Sequence, residues 1–347
     1  MQRREFLKTS VGLVGAFFLS RCKSLIDIEE ETLNIPQYYY ANNYLRSKID
    51  RINALLNADG VIDSFIFITD QHWDFNAKKS PMLMRYIQQN TNIKSVFCGG
   101  DFADYLGSQS FNYLSVLKSC WKGDINCVVG NHEYLGSNVT EDRVSLLLDT
   151  NSGKQVGNLS RHYYYVDNVK NKIRYVVLSS YSRSLDGGHH ACFGYGTDQA
   201  NWLKEEALRV EKGWKIIIFT HLLYFIGVYD DKITLFDDVN ISDIIESYLG
   251  PGEIICLFHG HNHRDRIVRM PRSNIPVIIT TCDKNVIEKD DQLNIVRQSG
   301  SINEQAFDVV IINEKVRLIQ CVRIGCPAKD GINDEIGSFV EERIIDY

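Results

Sequence analysis

The stretch EIICLFHGHNH, residues 253–263, joins an apolar run to three closely spaced histidines, His259, His261 and His263. The run is short and rich in β-branched and aromatic residues, which favours a strand buried on both faces. Imidazole is the commonest metal-ligating side chain in proteins. The stretch therefore predicts a buried strand whose carboxyl end carries candidate metal ligands.

Four further runs of the same character occur earlier in the chain: SFIFITD (64–70), IKSVFCGGD (93–101), INCVVGNHE (125–133) and KIIIFTH (215–221). We predict helices near residues 43–57, 81–90, 109–121, 141–149, 198–211 and 240–249. Strands that alternate with helices indicate an α/β layered fold. From residue 162 onward, a predicted hairpin and four later strands without helices between them favour a mostly antiparallel arrangement. We expect this second half to form the other sheet of a sandwich that has helices on its outer faces.

Each of the five runs leads into side chains that can bind a metal ion. These are Asp70 and His72, then Asp101, Asn131 with His132, His221, and finally His261 with His263. Ligands of open α/β sheets bind outside the carboxyl ends of the strands, so we expect these side chains to converge. Carboxylate and imidazole suit Zn, Mn and Fe, and a bridging carboxylate allows two ions to share a site. Two ions held in this way clamp the attacking and leaving oxygens in a phosphoryl displacement, and they lower the pKa of a bound water. Glycines 99, 100, 130 and 260 adjoin the ligands, and we expect them to let the backbone approach a bound phosphate.

In order along the chain, the blocks DQH, GDFAD, GNHE, a lone His and GHNH span residues 70–263. The five blocks together resemble the calcineurin-like metallophosphoesterase family, whose pattern is DxH, GDxx[DN], GNH[ED], His and GHxH. The resemblance implies an α/β fold, a four-layered αββα sandwich of two mixed β-sheets flanked by helices. It also implies hydrolysis of a phosphate mono- or diester by a metal-bridging hydroxide at a dinuclear centre.

The resemblance also implies a role for each residue that matches the pattern. Asp70, His72 and His263 would hold the first metal ion, and Asn131, His221 and His261 would hold the second. Asp101 would bridge the two ions, and Asp104 would contact a ligand without binding a metal ion itself. His132 would be the general acid that protonates the leaving oxygen, with Glu133 orienting it. The purple acid phosphatase branch has Tyr at the position of Asp104 and Gly at that of His72, so this branch is excluded.

The first 22 residues, MQRREFLKTSVGLVGAFFLSRC, differ from the rest of the chain. Paired arginines precede the apolar run Val11–Leu19, which is too short to span a bilayer and is typical of an export signal. RREFLK resembles a twin-arginine signal, and LSRC resembles a bacterial lipobox with Arg21 where a small residue is usual. Lipid attachment at Cys22 therefore stays open, as does an amphipathic first helix of a cytoplasmic protein. We expect an export signal at 1–22, an N-terminal helical extension at 23–58 and a catalytic domain at 59–347.

The composition limits the partners of the protein. The chain has 347 residues and a formal net charge of −6, and no basic run occurs in its body, which argues against nucleic-acid binding. We expect a phosphorylated small-molecule, nucleotide or cell-envelope substrate, no protein partner, and membrane contact through a lipid if Cys22 is modified. The expected location is periplasmic or membrane-anchored in a bacterium. The alternative is a non-catalytic surface lipoprotein that binds a phosphorylated ligand, although such a binder should have lost Asp101, Asn131 or His132.

Nine cysteines occur, and their spacing does not define a disulfide framework. Cys98, Cys127 and Cys256 fall within apolar runs and are predicted to be buried thiols. Two pairings stay open, Cys120 with Cys127 and Cys321 with Cys326. His259 matches no ligand position, and we expect it to have a structural role at the end of its strand.

Overall fold

The computed structural model describes residues 35–73, 79–135, 139–148, 155–182, 192–223, 241–284, 297–329 and 338–347. The chain divides into two compact units, Met1–Ile35 and Pro36–Tyr347, and all elements given below belong to the second. The predicted export signal at 1–22, with Cys22, lies outside the described residues. The boundary predicted between an extension and a catalytic domain at residues 58 and 59 stays a prediction.

The described residues form six α-helices. They are α1 (Tyr44–Leu56), α2 (Lys79–Asn90), α3 (Ser108–Cys120), α4 (Glu141–Ser145), α5 (Thr197–Trp202) and α6 (Ile241–Glu246). All six correspond to predicted helices. Three of them are shorter than expected: α4 ends at Ser145, α6 ends at Glu246, and α5 passes into a π-helical turn at Leu203–Ala207. None of the described helices has the length and apolar surface that crossing a membrane requires.

The described residues also form seventeen strands. The first eight are β1 (Val61–Ile68), β2 (Ser95–Cys98), β3 (Asp124–Cys127), β4 (Val156–Asn158), β5 (Tyr163–Asn168), β6 (Ile173–Val177), β7 (Tyr181–Ser182) and β8 (Cys192–Phe193). The others are β9 (Lys215–Phe219), β10 (Glu253–His259), β11 (Arg266–Arg269), β12 (Pro276–Ile279), β13 (Ala306–Asn313), β14 (Leu318–Gly325), β15 (Ala328–Lys329), β16 (Phe339–Val340) and β17 (Glu342–Asp346). The five apolar runs correspond to β1, β2, β3, β9 and β10.

Two mixed sheets contain most of these strands. One has the order β17-β14-β13-β1-β2-β3, and the other has the order β11-β12-β10-β9-β6-β5-β4. In the first sheet, β1, β2 and β3 run parallel at one end, and β13, β14 and β17 continue the sheet in antiparallel pairs. In the second sheet, parallel pairs run through the middle, and antiparallel strands flank them. Together with the flanking helices, these sheets confirm the predicted fold class. Aromatic rings join the sheets: Phe97 on β2 stacks on Phe219 of β9 with ring centroids 4.0 Å apart.

The prediction that the strands after residue 162 form the other sheet is confirmed for β5, β6, β11 and β12 and is wrong for β13 and β14. The strands β13, β14 and β17 belong to the same sheet as β1, and β13 pairs with β1 in antiparallel register from Val61↔Asn313 to Phe67↔Asp308. Conversely, β9 and β10 lie in the other sheet. Because β1 is a central strand, its backbone needs a partner on each side, and β2 supplies only one of them.

The cysteines at positions 98, 120, 127, 256, 282, 321 and 326 are free thiols. Neither pairing that the sequence left open is formed, since Cys120, Cys127, Cys321 and Cys326 are all free and buried. The buried thiols predicted at positions 98, 127 and 256 are confirmed.

Candidate metal centre

The predicted ligands follow strand ends in both sheets, and they meet at one edge of the sandwich. Asp70 lies two residues after β1, and His261 lies two residues after β10 of the other sheet. The two loops are joined directly, because the His261 N–H donates to Asp70 Oδ2 at 2.9 Å. Similarly, His221, which follows β9, lies 3.2 Å through Nε2 from Oδ2 of Asp101, which follows β2. The structure therefore brings the expected strand ends together across the sheets.

Five of the seven predicted ligands have a left-handed backbone. Their φ angles are 53° for Asp70, 44° for His72, 57° for Asp101, 63° for His261 and 53° for His263. Each non-glycine residue in this conformation costs roughly 1–2 kcal/mol, and such residues cluster at functional sites, where the surrounding structure holds them. The sharp turns direct these side chains into one shared space at the edge of the sheets.

One group of ligand atoms contains Asp70, His72 and His263, all within 4.8 Å of one another. His263 Nε2 lies 3.3 Å from Asp70 Oδ1 and 3.1 Å from His72 Nε2. His72 donates from Nδ1 to Asp104 Oδ1 at 3.0 Å, which fixes the ring so that Nε2 faces the group. These are the residues assigned to the first ion, and Asp104 supports them as the resemblance implies.

The second group contains Asp101, His221 and His261, with Asn131 beside them. His261 Nδ1 lies 3.1 Å from Asn131 Oδ1. His221 donates from Nδ1 to the carbonyl of Gly99 at 2.7 Å, so its Nε2 is directed at the carboxylates. Asp101 lies between the groups, because its Oδ2 is 3.9 Å from His72 Nε2 and 3.2 Å from His221 Nε2. Its position matches that of a bridging ligand.

Two buried atoms show that a cation fits this site. Neither Asp70 Oδ1 nor His221 Nε2 has a hydrogen-bond partner among the described residues, and the two atoms lie 3.8 Å apart. Buried polar atoms without partners are costly and rare in folded proteins. Metal–ligand bonds of about 2.0–2.2 Å place neighbouring ligand atoms roughly 3.0–3.5 Å apart, close to the separations found here. The donor set of carboxylates, imidazoles and one amide suits Mn, Zn or Fe.

The carboxylates and imidazoles shift one another's pKa. Burial by itself lowers the pKa of His221, but Asp101 and Asp70 outweigh it and raise the pKa to about 9. Burial likewise opposes the charged form of His263, and the neighbouring carboxylate of Asp70 raises the pKa to about 11. Burial lowers the pKa of His261 to about 4, and the charge of His221 acts in the same direction. Without metal, the two imidazolium groups therefore supply the positive charge that the carboxylates require.

His132 and Glu133 follow Asn131 on a 3₁₀ turn, and the structure separates their environments. His132 donates from Nδ1 to the backbone carbonyl of Asp104 at 2.8 Å, and its Nε2 lies 3.9 Å from Asp101 Oδ2. The His132 side chain is 27% exposed, so it is accessible from the open side of the site. Its placement suits a group that transfers a proton to a bound molecule.

The orienting role expected of Glu133 is not supported. Its buried carboxylate accepts bonds from the backbone N–H groups of Gly130 (2.8 Å), Asp101 (2.9 Å) and Phe102 (2.8 Å). Glu133 therefore fastens the loop after β2 to the loop after β3, and the Asp104 carbonyl orients His132 instead. Burial and the neighbouring charge of Asp101 raise the pKa of Glu133 to about 8, although the three N–H groups act in the opposite direction.

The glycines beside the ligands pack against carboxylates. A Cβ atom at Gly130 would lie 2.1 Å from Asp101 Oδ1, and one at Gly260 would lie 2.2 Å from Asp70 Oδ2. At these two positions, the absence of a side chain makes room for a ligand from the neighbouring loop. The expectation that the glycines beside the ligands let the backbone approach a phosphate stays a prediction.

Two residues of the site were missed by sequence reasoning. Lys284 Nζ lies 3.3 Å from Asp104 Oδ1, and the charge of Lys284 counteracts burial and lowers the pKa of Asp104. The hydroxyl of Tyr181 lies 3.3 Å from Asn131 Oδ1. Neither residue belongs to a spaced motif, and no signal in the sequence distinguishes them from other lysines and tyrosines. His259, by contrast, is buried and bonds through Nδ1 to the Gly260 carbonyl at 3.0 Å, which fits a structural role.

Known proteins resemble this chain both in sequence pattern and in fold. A model of the calcineurin-like phosphoesterase family matches residues 64–265, more than half of the chain. A dimetal phosphatase from Danio rerio is similar in structure, with a TM-score of 0.55, 15% identity, and coverage of 83% of this chain and 99% of that one. Purple acid phosphatase PPD1 from yellow lupin (Lupinus luteus) seeds has a TM-score of 0.51 at 11% identity, covering 82% of this chain and 54% of that one.

At such identities, the two structural similarities show the fold alone. The exclusion of the purple acid phosphatase branch concerns ligand identities, so it stays a prediction. No curated protein sequence matches the chain at a significant level.

Proposed function

Because the chain belongs to the calcineurin-like phosphoesterase family, we propose that it is an exported enzyme that hydrolyses a phosphate mono- or diester with two bound metal ions. Family membership makes it a metal-dependent phosphoesterase, while export, the substrate and the individual roles are part of the proposal. One observation carries it. The predicted ligands form two adjoining groups that share the carboxylate of Asp101 as a common neighbour.

In this proposal, Asp70, His72 and His263 hold the first ion, Asn131, His221 and His261 hold the second, and Asp101 contacts both. When bound, two such ions lower the pKa of a water molecule and neutralise charge that develops on the phosphoryl oxygens. Asp70, Asp101 and His221 are fully buried, whereas the half-buried Asn131, His261 and His263 form the open side. The substrate would approach from this open side.

His132 is the proposed proton donor to the leaving oxygen. Because its Nδ1 proton is engaged by the Asp104 carbonyl, Nε2 is the atom that faces the site. A proton on Nε2 can pass to an alkoxide as the phosphorus–oxygen bond breaks, which contributes most when the leaving group is a poor one. The carbonyl keeps the ring in this orientation before and after the transfer.

The substrate is proposed to be a phosphorylated small molecule, a nucleotide or a cell-envelope component. The net charge of −6 and the lack of a basic run support this class over long nucleic acids. Export is supported by residues 1–22 alone. Growth with a radioactive fatty acid tests the anchor, since a lipidated protein should be labelled and its Cys22→Ala variant should not. Absence of label from both proteins would leave export without a lipid anchor.

The activity is tested on the full chain loaded with Mn, Zn or Fe in parallel. The substrates are p-nitrophenyl phosphate, bis-p-nitrophenyl phosphate and mononucleotides, and metal content is measured on the same samples. We expect turnover that disappears with chelator, and a preference for monoester or diester that narrows the substrate class. Two bound ions without turnover on any of these substrates would favour the non-catalytic binder.

Asp101→Asn provides the decisive variant. The amide cannot bridge two ions as a carboxylate does, so turnover and metal content should fall together. Asp63→Asn is the matched control, because Asp63 is a largely buried carboxylate on β1 that bonds Tyr175 and Asn168, away from the ligands. Unchanged metal stoichiometry in Asp101→Asn would contradict the bridging role.

A further inference from the structure

Tyr181 lies against the second ligand group through its hydroxyl. The oxygen is 3.3 Å from Asn131 Oδ1 and 3.5 Å from His261 Nδ1, and these two atoms are themselves 3.1 Å apart. The three atoms form a nearly equilateral triangle on one side of the site. A tyrosine hydroxyl both donates and accepts hydrogen bonds, so it can serve either neighbour.

The surrounding structure holds this phenol in place. Tyr181 is only 2% exposed, and it begins the short strand β7, which pairs with Phe193 of β8. Its backbone carbonyl accepts bonds from Ser179 Oγ (3.0 Å) and the Tyr134 hydroxyl (3.4 Å). Its ring packs beside His221, with centroids 5.9 Å apart. The hydroxyl is therefore presented to the ligands by a fixed scaffold.

The two ends of the Asn131 amide differ chemically, so the contact with the Tyr181 hydroxyl can determine which end faces the ion. An asparagine offers an oxygen that can bind a metal ion and a nitrogen that cannot, and a half-turn of the amide exchanges them. In the metal-free protein, His261 Nδ1 can donate to Asn131 Oδ1, but an Nδ1 atom that binds an ion no longer carries a proton. Of the two neighbours, only the phenol can then go on donating to the amide oxygen.

We propose that Tyr181 is a positioning residue of the second metal site. Its hydroxyl donates to Asn131 Oδ1 and keeps the amide oxygen, rather than the amide nitrogen, directed at the ion. The proposal rests on the two-metal site of the proposed function, and it adds a residue outside the five sequence blocks.

The test measures how Mn²⁺ binds to the full chain in the absence of substrate. Equilibrium dialysis gives the number of bound ions and their affinities, and electron paramagnetic resonance shows whether two ions lie close together. The unaltered protein should bind two ions and give the spectrum of a coupled pair. Residues that hydrogen-bond to metal ligands typically contribute about 10–100-fold to metal affinity. Tyr181→Phe should therefore lower the affinity for the second ion by about that factor. With one equivalent of Mn²⁺ per chain, the Tyr181→Phe variant should give the spectrum of an isolated Mn²⁺ ion. Tyr164→Phe is the matched control, because Tyr164 is a buried phenol that bonds the backbone of Cys127.

A second substitution separates orientation from general damage. A carboxylate has oxygen on both branches and needs no orienting donor. Tyr181→Phe should therefore cost 10–100-fold in an otherwise unaltered chain but less than about threefold in the Asn131→Asp background, since the two changes are then coupled. An equal loss in both backgrounds, or an equal loss in Tyr164→Phe, would overturn the proposal.

Two further results would also overturn it. One is Tyr181→Phe with both ions bound as tightly as in the unaltered protein. The other is a visible charge-transfer band in the Fe³⁺-loaded protein that Tyr181→Phe abolishes, since this would make the tyrosine a direct ligand. Metal binding is measured without substrate and is therefore independent of activity. Two bound ions without hydrolysis would contradict the proposed function but not the proposed role of Tyr181. Fewer than two ions in the unaltered protein would end both.

Discussion

Replacement of Arg323 with Met tests whether a buried ion network holds the metal centre in place. Arg323 on β14 is fully buried, with Nε 2.8 Å from Asp308 Oδ1 and Nη1 3.1 Å from Asp265 Oδ2. Asp265 lies two residues after the ligand His263 and accepts a bond from the Thr281 N–H at 3.1 Å. The Thr281 hydroxyl donates in turn to the His263 carbonyl at 2.8 Å. A change at Arg323 can therefore reach a ligand through two hydrogen bonds.

We expect Arg323→Met to lower the free energy of unfolding by about 3–5 kcal/mol, because removing one partner leaves a buried charge uncompensated. Asp308 keeps its bond from Arg343 at 2.6 Å, whereas the nearest cation left to Asp265 is Arg343 Nη1 at 3.7 Å. Both carboxylates therefore lose a charged partner, and the one beside the ligand loop loses its closest one. The affinity for the first ion should fall by about tenfold or more, as for other residues that support ligands.

The pH dependence of this loss has a definite sign. Burial by itself raises the pKa of Asp308, but Arg323 and Arg343 outweigh it and hold the pKa below its ordinary value of 3.8. A carboxylate with a lowered pKa stabilises the folded state above its unfolded pKa, and that stability is lost as the pH falls through the folded value. The difference between the two proteins should therefore be full at pH 7 and shrink only below about pH 4.

The assay is urea unfolding of the metal-free full chain at pH 7, with Arg317→Met as the matched control. Arg317 makes the same kind of pair with Glu253 at 2.5 Å, but the two side chains are 48% and 38% exposed. Exposed pairs contribute about 0–1 kcal/mol, so the control should be nearly neutral. Equal losses in the two variants, or a loss below about 1 kcal/mol in Arg323→Met, would refute the reasoning.

Three further predictions concern the site itself. His132→Ala should keep both ions and lose about 10²–10⁴-fold in turnover, with the largest losses on esters that have poor leaving groups. Equal losses on p-nitrophenyl and alkyl phosphates would argue against proton donation by His132. Glu133→Gln should weaken metal binding about 10–100-fold, because the carboxylate of Glu133 holds backbone N–H groups of the ligand loops. The dependence of turnover on the leaving group should not change. Unaltered metal affinity together with an altered leaving-group dependence would support the orienting role instead. Metal binding at pH 7 should release about two protons, one each from His221 and His263, because their raised pKa values of about 9 and 11 keep both protonated without metal. Affinity should therefore rise with pH, steeply up to about 9 and less steeply up to about 11, where His263 also loses its proton. Titration calorimetry that gives the same heat in buffers of different ionisation enthalpy would contradict this.

The strands and the side chains at their ends could be predicted because both signals are local. A run such as KIIIFTH carries its own evidence, since the apolar residues predict the buried strand and the final His221 marks the end of that strand as a candidate ligand position. Sheet membership is not local. The strands β9 and β13 are both buried along their whole length, so their composition says nothing about which neighbour each one pairs with. Only the tertiary fold decides that β13 pairs with β1.

The surroundings of Glu133 could not be predicted for a similar reason. Its position beside His132 in the sequence suggested contact between the two side chains. On a 3₁₀ turn, however, successive side chains point about 120° apart, so neighbours in sequence face different surroundings. Here His132 faces the open site, while the carboxylate of Glu133 is directed into the loops beneath it. Residue types can be read from a motif, but the direction of each side chain depends on the turn that carries it.

The interlocking of the loops explains why five separated blocks of sequence carry meaning only together. Gly130 lacks a side chain where Asp101 packs, and Gly260 lacks one where Asp70 packs, so each loop is shaped by a ligand from another. Glu133, in the loop after β3, accepts two bonds from the loop after β2 and one within its own loop. The left-handed backbone of the ligands is unfavourable for a loop in isolation, and it persists only when neighbouring loops hold it. A single block on another fold would therefore lack the contacts that fix its ligand, whereas the five blocks hold one another in the geometry that two ions require.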